Sequence, residues 1–316
     1  ALDIVNNLNE SGRKVFTYGP IIHNKHVINE MQSRGINIVE TIDNNFLKGS
    51  TLVIRSHGVK ASIIEELKQQ EISFVDATCP FVKKIHNIVN LMKEEDNLFI
   101  AGDKNHPEVI GIIGNTKAKC YVFNCMEDLS KILKNNIIPD NESIYLVSQT
   151  TFSKDEWNKC LKLLKKVYTK LEIFDTICSA TAFRQKEAIE LAKKSDLMIV
   201  IGGKNSSNTK KLKDICSKYS NTCLVESASE LPMFEIEQAQ LIGITAGAST
   251  PVEIIEEVTK LMEDKINKGE IELNQSEQSF EEMLEESLKG LNSDNKVKGT
   301  VVGISHNEVY VDVGRK

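Results

Sequence analysis

Ser73-Phe74-Val75-Asp76-Ala77-Thr78-Cys79-Pro80 is a short apolar run that ends in a thiol. The proline after it cannot donate to a sheet ladder, so the strand is expected to stop with Cys79 at its carboxyl end. Further on, Leu171-Glu172-Ile173-Phe174-Asp175-Thr176-Ile177-Cys178-Ser179-Ala180-Thr181 repeats the plan, with an Asp three residues before the Cys and a polar, helix-starting cluster after it. Two cysteines in one structural position predict a shared site. Outward from these stretches the same alternation recurs. Strands at Lys14–Pro20, Thr51–Ile54, Asn97–Gly102, Ile144–Val147, Asp196–Ile201 and Gln240–Ile244 each open onto polar residues and are followed by helical patterns. That order predicts an α/β fold of parallel sheets joined by right-handed crossovers. Its regularity suggests three similar α/β units, 1–76, 77–175 and 176–266, facing one centre with their strand ends.

Composition limits what such a centre can be. With 316 residues and 41% apolar composition the chain can bury a substantial core, and a formal charge of −6 gives no general reason to expect nucleic acid. No apolar run approaches the roughly 20 residues of a membrane helix, and no charged-then-apolar leader precedes Ala1, so a cytoplasmic protein without membrane contact is expected. Seven scattered cysteines argue against a disulfide framework and leave metal binding or simple burial. The chain opens inside an amphipathic helix, with Leu2, Val5 and Leu8 at helical spacing and no strand before them, which suggests an upstream segment.

The loop residues point to particular chemistry. Three or four thiolates are what an iron-sulfur cluster takes, and they can converge from distant parts of a chain. Only Cys79 and Cys178 occupy strand-end positions; Cys120, Cys125, Cys160, Cys216 and Cys223 read as small buried hydrophobes. His23, His57 and His106 each follow a strand and together favour an anionic ligand. Ser206, Ser207, Asn208 and Ser249 supply further donors ahead of helices, with Gly202, Gly203 and Gly247 permitting close backbone approach. Glu108 is placed either as a general acid or as a carboxylate favoured by a helix N-terminus. Thr150 either relays a proton or caps the following helix; Gln149 and Thr151 say less.

Eight motifs carry a resemblance: Pro20-Ile21-Ile22-His23-Asn24, Arg55-Ser56-His57-Gly58-Val59, Asp76-Ala77-Thr78-Cys79-Pro80, His106-Pro107-Glu108-Val109, Ser148-Gln149-Thr150-Thr151, Cys178-Ser179-Ala180-Thr181, Asn205-Ser206-Ser207-Asn208 and Thr245-Ala246-Gly247-Ala248-Ser249. In this order they resemble the 4-hydroxy-3-methylbut-2-enyl diphosphate reductase family over residues 1 to 266. The resemblance implies the last step of the non-mevalonate isoprenoid pathway, reductive dehydroxylation of an allylic diphosphate to isopentenyl and dimethylallyl diphosphate with two electrons and two protons. It implies a trefoil of three α/β units around a [4Fe-4S] cluster, and an electron donor of the ferredoxin or flavodoxin type. Cys79 and Cys178 match two of three cluster ligands. The first ligand of the family lies on a strand and Gly-rich turn ahead of the helix with which this chain opens, so only two are present here. His23, His57, Ser206, Asn208 and Ser249 resemble the diphosphate clamp, with Ser207 beside them. His106, Thr150 and Glu108 resemble the groups near the substrate hydroxyl, Glu108 being the proton source.

Beyond Lys265 the composition changes, and a linker over 267–295 is expected. Residues 296–316, including Val297–Gly303 and Val309–Gly314, read as a β-hairpin that resembles the opening of an OB-fold RNA-binding repeat found in a small-subunit ribosomal protein. Five strands complete such a barrel, so RNA or ribosome contact is expected only with a complete repeat. The competing reading is a diphosphate-binding module without redox activity, or an interaction protein linked to RNA. A zinc enzyme fits less well, because none of the usual closely spaced pairs of Cys or His ligands is recognised.

Overall fold

Central strands such as Asn97–Ala101 and Leu197–Ile201 are buried along their whole length. That is the pattern of parallel strands covered by helices on both faces. The computed structural model describes residues 1–21, 24–43, 47–135, 138–139, 142–266, 272–275, 300–304 and 309–312. Among them, three parallel sheets of four strands are built one after another. The first contains β1 (Val15–Tyr18), β2 (Asn37–Val39), β3 (Thr51–Ile54) and β4 (Phe74–Asp76), in the order β2-β1-β3-β4. Helices α1 (Leu2–Glu10), α2 (Lys25–Ser33) and α3 (Ala61–Gln69) accompany it.

The second sheet follows α4 (Pro80–Asn90) and contains β5 (Asn97–Ala101), β6 (Lys119–Phe123), β7 (Ile144–Ser148) and β8 (Leu171–Ile173), in the order β6-β5-β7-β8. Its connections carry α5 (Pro107–Ile113), α6 (Met126–Asn135) and α7 (Lys154–Val167). The third follows α8 (Ser179–Ala192) and contains β9 (Leu197–Ile201), β10 (Asn221–Val225), β11 (Leu241–Ala246) and β12 (Glu272–Gln275), in the order β10-β9-β11-β12. With it come α9 (Ser207–Cys216), α10 (Met233–Gln238) and α11 (Val252–Ile266).

Each sheet therefore has the same winding. From its first strand the chain crosses to one side, then returns past it to the third and fourth strands on the other side. The carboxyl ends of the first and third strands flank the point where the winding reverses, which is where open α/β sheets leave a crevice. Six loops occupy these places, following β1, β3, β5, β7, β9 and β11. The two-residue period of the strands separates the packing on the two faces. In β5, Phe99 and Ala101 join Trp157, Phe123 and Leu164 on one side, while Leu98 and Ile100 join Ile85, Val89 and Ile112 on the other.

Two expectations need correction. Cys79 does not end a strand: β4 stops at Asp76, and Cys79 is the N-cap of α4 with Pro80 in its first turn. The Asp76 carboxylate turns the chain by accepting from the Thr78 amide at 3.0 Å and from the Thr78 hydroxyl. Proline suits the first helical position, where its fixed φ is helical and its missing N–H would have no intrahelical partner. Likewise β8 stops at Ile173, and Cys178 is the N-cap of α8. Second, the stretch read as linker from 267 contributes β12, which pairs in parallel with β11, Leu241 opposite Glu272 and Ile244 opposite Gln275. An edge strand has only one ladder to satisfy, so the polar run Glu-Leu-Asn-Gln serves. The remainder of that linker, 267–271 and 276–295, lies outside the described residues. In the C-terminal segment β13 (Thr300–Ile304) and β14 (Val309–Asp312) pair antiparallel, with a register shift between Val301 and Gly303.

Candidate functional site

The switch-point loops and the N-termini of α1, α4 and α8 line one cavity of about 550 Å³. Its walls contain His57, Cys79, His106, Glu108, Thr150, Cys178, Ser206, Ser207, Asn208 and Ser249. These are the residues singled out from the sequence, drawn from all three sheets, with one exception: His23 lies outside the described residues. Ala1, at the start of α1, lines the same cavity.

One part of the wall is a pair of thiols. The Cys79 amide donates to the Ser56 carbonyl at 3.0 Å, and the Cys178 amide donates to the Thr150 carbonyl at 3.0 Å. These bonds fix the two helix starts against loops of the first and second sheets. Burial pushes both thiols up. Backbone N–H groups of Phe81 and Val82 act against this at Cys79, and those of Ala180 and Thr181, with the Thr181 side chain, at Cys178. Negative charge on Cys178 and Glu108 raises Cys79 further, and Glu108 raises Cys178. A half-buried thiol at Cys79 and a buried one at Cys178, each met by helix N-terminal amides, form a donor set suited to a cationic thiophilic metal centre. Among the described residues, no group of three His, Cys, Asp or Glu is arranged to hold a metal ion.

A second part is an acid. Glu108 is 2% exposed in the first turn of α5. Its carboxylate accepts from the Thr150 amide at 2.6 Å and from the Thr150 hydroxyl at 2.8 Å. Burial pushes its pKa up to about 7, against the lowering effect of the two Thr150 donors. A hydroxyl can donate to a carboxylate or accept from a carboxylic acid, so Thr150 serves both protonation states. Thr150 does not cap the next helix; the Ser153 hydroxyl does, accepting from the Glu156 amide at 3.4 Å. His106 caps α5 by accepting from the Glu108 amide on Nδ1 at 3.1 Å, which puts the proton of a neutral ring on Nε2. Its ring meets that of His57 edge to face, with centroids 5.2 Å apart.

The third part is a polar cup at the start of α9. Ser206 caps the helix by accepting from the Thr209 amide at 3.4 Å. The Ser207 hydroxyl lies 3.1 Å from the Thr151 hydroxyl and accepts from Gln149 Nε2 at 3.2 Å, joining the second and third sheets. Asn208 is 5% exposed, and its Nδ2 has no hydrogen-bond partner. A buried amide donor beside a helix N-terminus fits an anionic guest. Thr209 Oγ1 is also buried without a partner, and a Cβ on Gly247 would lie 2.2 Å from it.

Some of this was missed from the sequence. Gly102-Asp103-Lys104-Asn105-His106-Pro107-Glu108 and Gly202-Gly203-Lys204-Asn205-Ser206-Ser207-Asn208 share Gly, Lys and Asn at equal spacing and follow equivalent strands, and that repeat would have paired Glu108 with Asn208. Ser56, Thr151 and Thr181 also line the cavity, and no motif marked Ser56 or Thr181 individually for it.

The profile of the family described as LytB protein matches residues 1–263. A protein of Caldanaerobacter subterraneus named 4-hydroxy-3-methylbut-2-enyl diphosphate reductase is 43% identical over 262 residues, covering 82% of this chain and 88% of its own. A protein of Clostridium tetani with the same name is 39% identical over 310 residues, 96% of this chain but 45% of its own. Among solved structures, the E-1-hydroxy-2-methyl-but-2-enyl-4-diphosphate reductase of Plasmodium falciparum superposes with a TM-score of 0.79 at 26% identity, covering 91% of this chain and 94% of that one. A second, titled as the terminal enzyme of the non-mevalonate pathway, has a TM-score of 0.57 at 36% identity and covers 82% of this chain and 92% of that one.

Proposed function

This chain belongs to the LytB protein family, and we propose that it reduces 4-hydroxy-3-methylbut-2-enyl diphosphate to isopentenyl and dimethylallyl diphosphate, each turnover taking two electrons and two protons and releasing the hydroxyl as water. The observation that carries this reading is the single cavity in which two thiols, a buried acid near neutrality and an amide and hydroxyl cup face one another.

In this reading Cys79 and Cys178 are two of the thiolates that would hold a [4Fe-4S] cluster. The two cysteine-capped helix starts that face the cavity support that placement. When bound, the cluster supplies low-potential electrons and a Lewis-acidic iron. The protein's own groups do the rest. Ser206, Asn208, Ser249 and His57, with His23, receive the diphosphate, and the amides opening α9 offset its charge. Glu108, protonated below about pH 7, donates to the leaving hydroxyl, with Thr150 holding the carboxyl in place. His106 fixes the first turn of α5 through Nδ1 and leaves Nε2–H as a donor. Apolar walls from Ile4, Ile21, Phe81 and Val82 keep the allylic chain away from water.

The electrons come from a carrier of the ferredoxin or flavodoxin type, in a cytoplasmic setting that keeps all seven cysteines as free thiols. Among the described residues no helix is long and apolar enough to cross a membrane. The hairpin of β13 and β14 is read as the opening of an OB-fold repeat that contacts RNA only when complete; the C. tetani relative, of which this chain covers 45%, is long enough to carry an appended module.

Anaerobic reconstitution with iron and sulfide, of this chain and of a form with an added upstream cysteine segment, tests the reading. Cluster absorbance, a Mössbauer signal from one distinct iron, and turnover of the allylic diphosphate with reduced methyl viologen are expected from the extended form. Diphosphate binding with no iron uptake in either form would leave the non-redox module instead.

A further inference from the structure

The proposed reaction consumes two electrons that no side chain of this protein can supply, so a path from the surface to the cavity is required. Pro80 marks one. It follows Cys79 directly and lines both the central cavity and a separate surface groove of about 420 Å³. The Asp76–Lys83 ion pair, at 2.8 Å, is shared between them in the same way, Asp76 lining the cavity and Lys83 the groove.

The groove runs along the outer face of α4 and is lined by Pro80, Lys83, Lys84, Asn87, Ile88 and Leu91. At the helical rise, Lys84 stands about 7 Å and Leu91 about 18 Å along the axis from Cys79. Leu91 is 82% exposed, the most exposed of the large apolar side chains among the described residues. The lining contains two lysines and no carboxylate, on a chain whose formal charge is −6. With Lys83 paired to Asp76, the exposed Lys84 gives this apolar strip a positive charge on an acidic protein, which is complementary to an acidic partner. Small, weak interfaces of this kind are typical of transient redox encounters.

We propose that the α4 groove is the docking surface for a small acidic one-electron carrier protein, which seats over Lys84 and Leu91 and delivers electrons to the cavity past Pro80 and Cys79. Two carriers are oxidised by one electron each per turnover, and the two electrons with two protons release the substrate hydroxyl as water. The inference rests on the reductase reading of the cavity.

The test uses reconstituted protein and an acidic single-cluster ferredoxin. For the K84E/L91E variant we expect the calorimetric Kd for the ferredoxin, and the KM for it as reductant, to rise about tenfold or more, equivalent to about 1.4 kcal/mol. Turnover with reduced methyl viologen, which needs no docking surface, is expected to stay unchanged. Wild-type affinity should weaken between about 0.01 and 0.15 M ionic strength, and the variant should lose most of that dependence. Unchanged Kd and KM in the variant would overturn the docking surface while viologen turnover leaves the reductase intact. Absence of wild-type viologen turnover would overturn the reductase reading, with the Kd comparison still deciding the surface.

Discussion

The loops 102–108 and 202–208 start from equivalent strands, β5 and β9, and end in equivalent helices, yet they hold opposite kinds of group. Both keep Gly, Lys and Asn in step, and both cap the helix with a side chain that accepts from its first turn, His106 in one and Ser206 in the other. Where the first loop places Glu108, the second places Asn208. The carboxyl is met by Thr150 and held near neutrality, while the amide keeps a buried N–H without a partner. One backbone frame thus presents a proton on one side of the cavity and a neutral donor on the other. The difference lies in the partner supplied by the neighbouring strand end, because β7 delivers Thr150 to Glu108 whereas β11 ends in the glycine-containing Gly247–Ser249 turn.

The largest test of this contrast is Glu108→Gln, which makes the two loops alike in charge. It is expected to lower turnover by about 10² to 10⁴-fold while leaving the Kd for the diphosphate within a few-fold of wild type. Equal loss of binding would move Glu108 to the anion side. Next comes pH. The folded carboxyl titrates at about 7 and an unfolded one near 4.5, so the folded state keeps a proton that the unfolded chain releases in between. Stability should therefore fall as pH rises from about 4.5 to 7, by about 3 kcal/mol relative to Glu108→Gln, and stay level above that. Urea titrations of both forms across that range read this directly; parallel curves would contradict the burial of a titrating acid. Turnover that needs the protonated acid should hold level below that and decline as pH rises through about 7.

A smaller effect belongs to the other loop. Asn208→Ala removes one donor to a charged guest and should weaken diphosphate binding by about 1.5–3 kcal/mol, appearing in KM with kcat nearly unchanged. A fall in kcat alone would break the division between the loops. Smallest is Ser206→Ala, the loss of one helix cap, at about 0.5–2 kcal/mol of unfolding free energy. A thermal or urea melt checks it.

Most of the site was legible in the sequence because the winding of each sheet places chemistry at strand ends, and strand ends can be read from short apolar runs that stop at polar residues. Cys79, Cys178, His57, His106 and the Ser206–Asn208 run were found this way. What depends on register between strands distant in sequence was not. Whether Thr150 serves Glu108 or caps a helix is decided by β5 pairing with β7, Ala101 opposite Ser148, which no local pattern states. The same holds for β12, whose polar residues carry no strand signal and form a strand only because the β11 edge is free to pair with them. The helix-cap placement of the cysteines was obscured by reading Pro80 as a strand breaker when its φ also suits the start of a helix.

The separation of the two thiols has a consequence for how the protein is made. Cys79 and Cys178 lie roughly a hundred residues apart, so at about 5–20 residues per second the second leaves the ribosome some five to twenty seconds after the first. The cavity needs loops from all three sheets, and the last of them, at Ser249, is synthesised later still. During that interval Cys79 belongs to a wall with no opposite side. The order of synthesis itself therefore leaves the cavity open until the third sheet has folded.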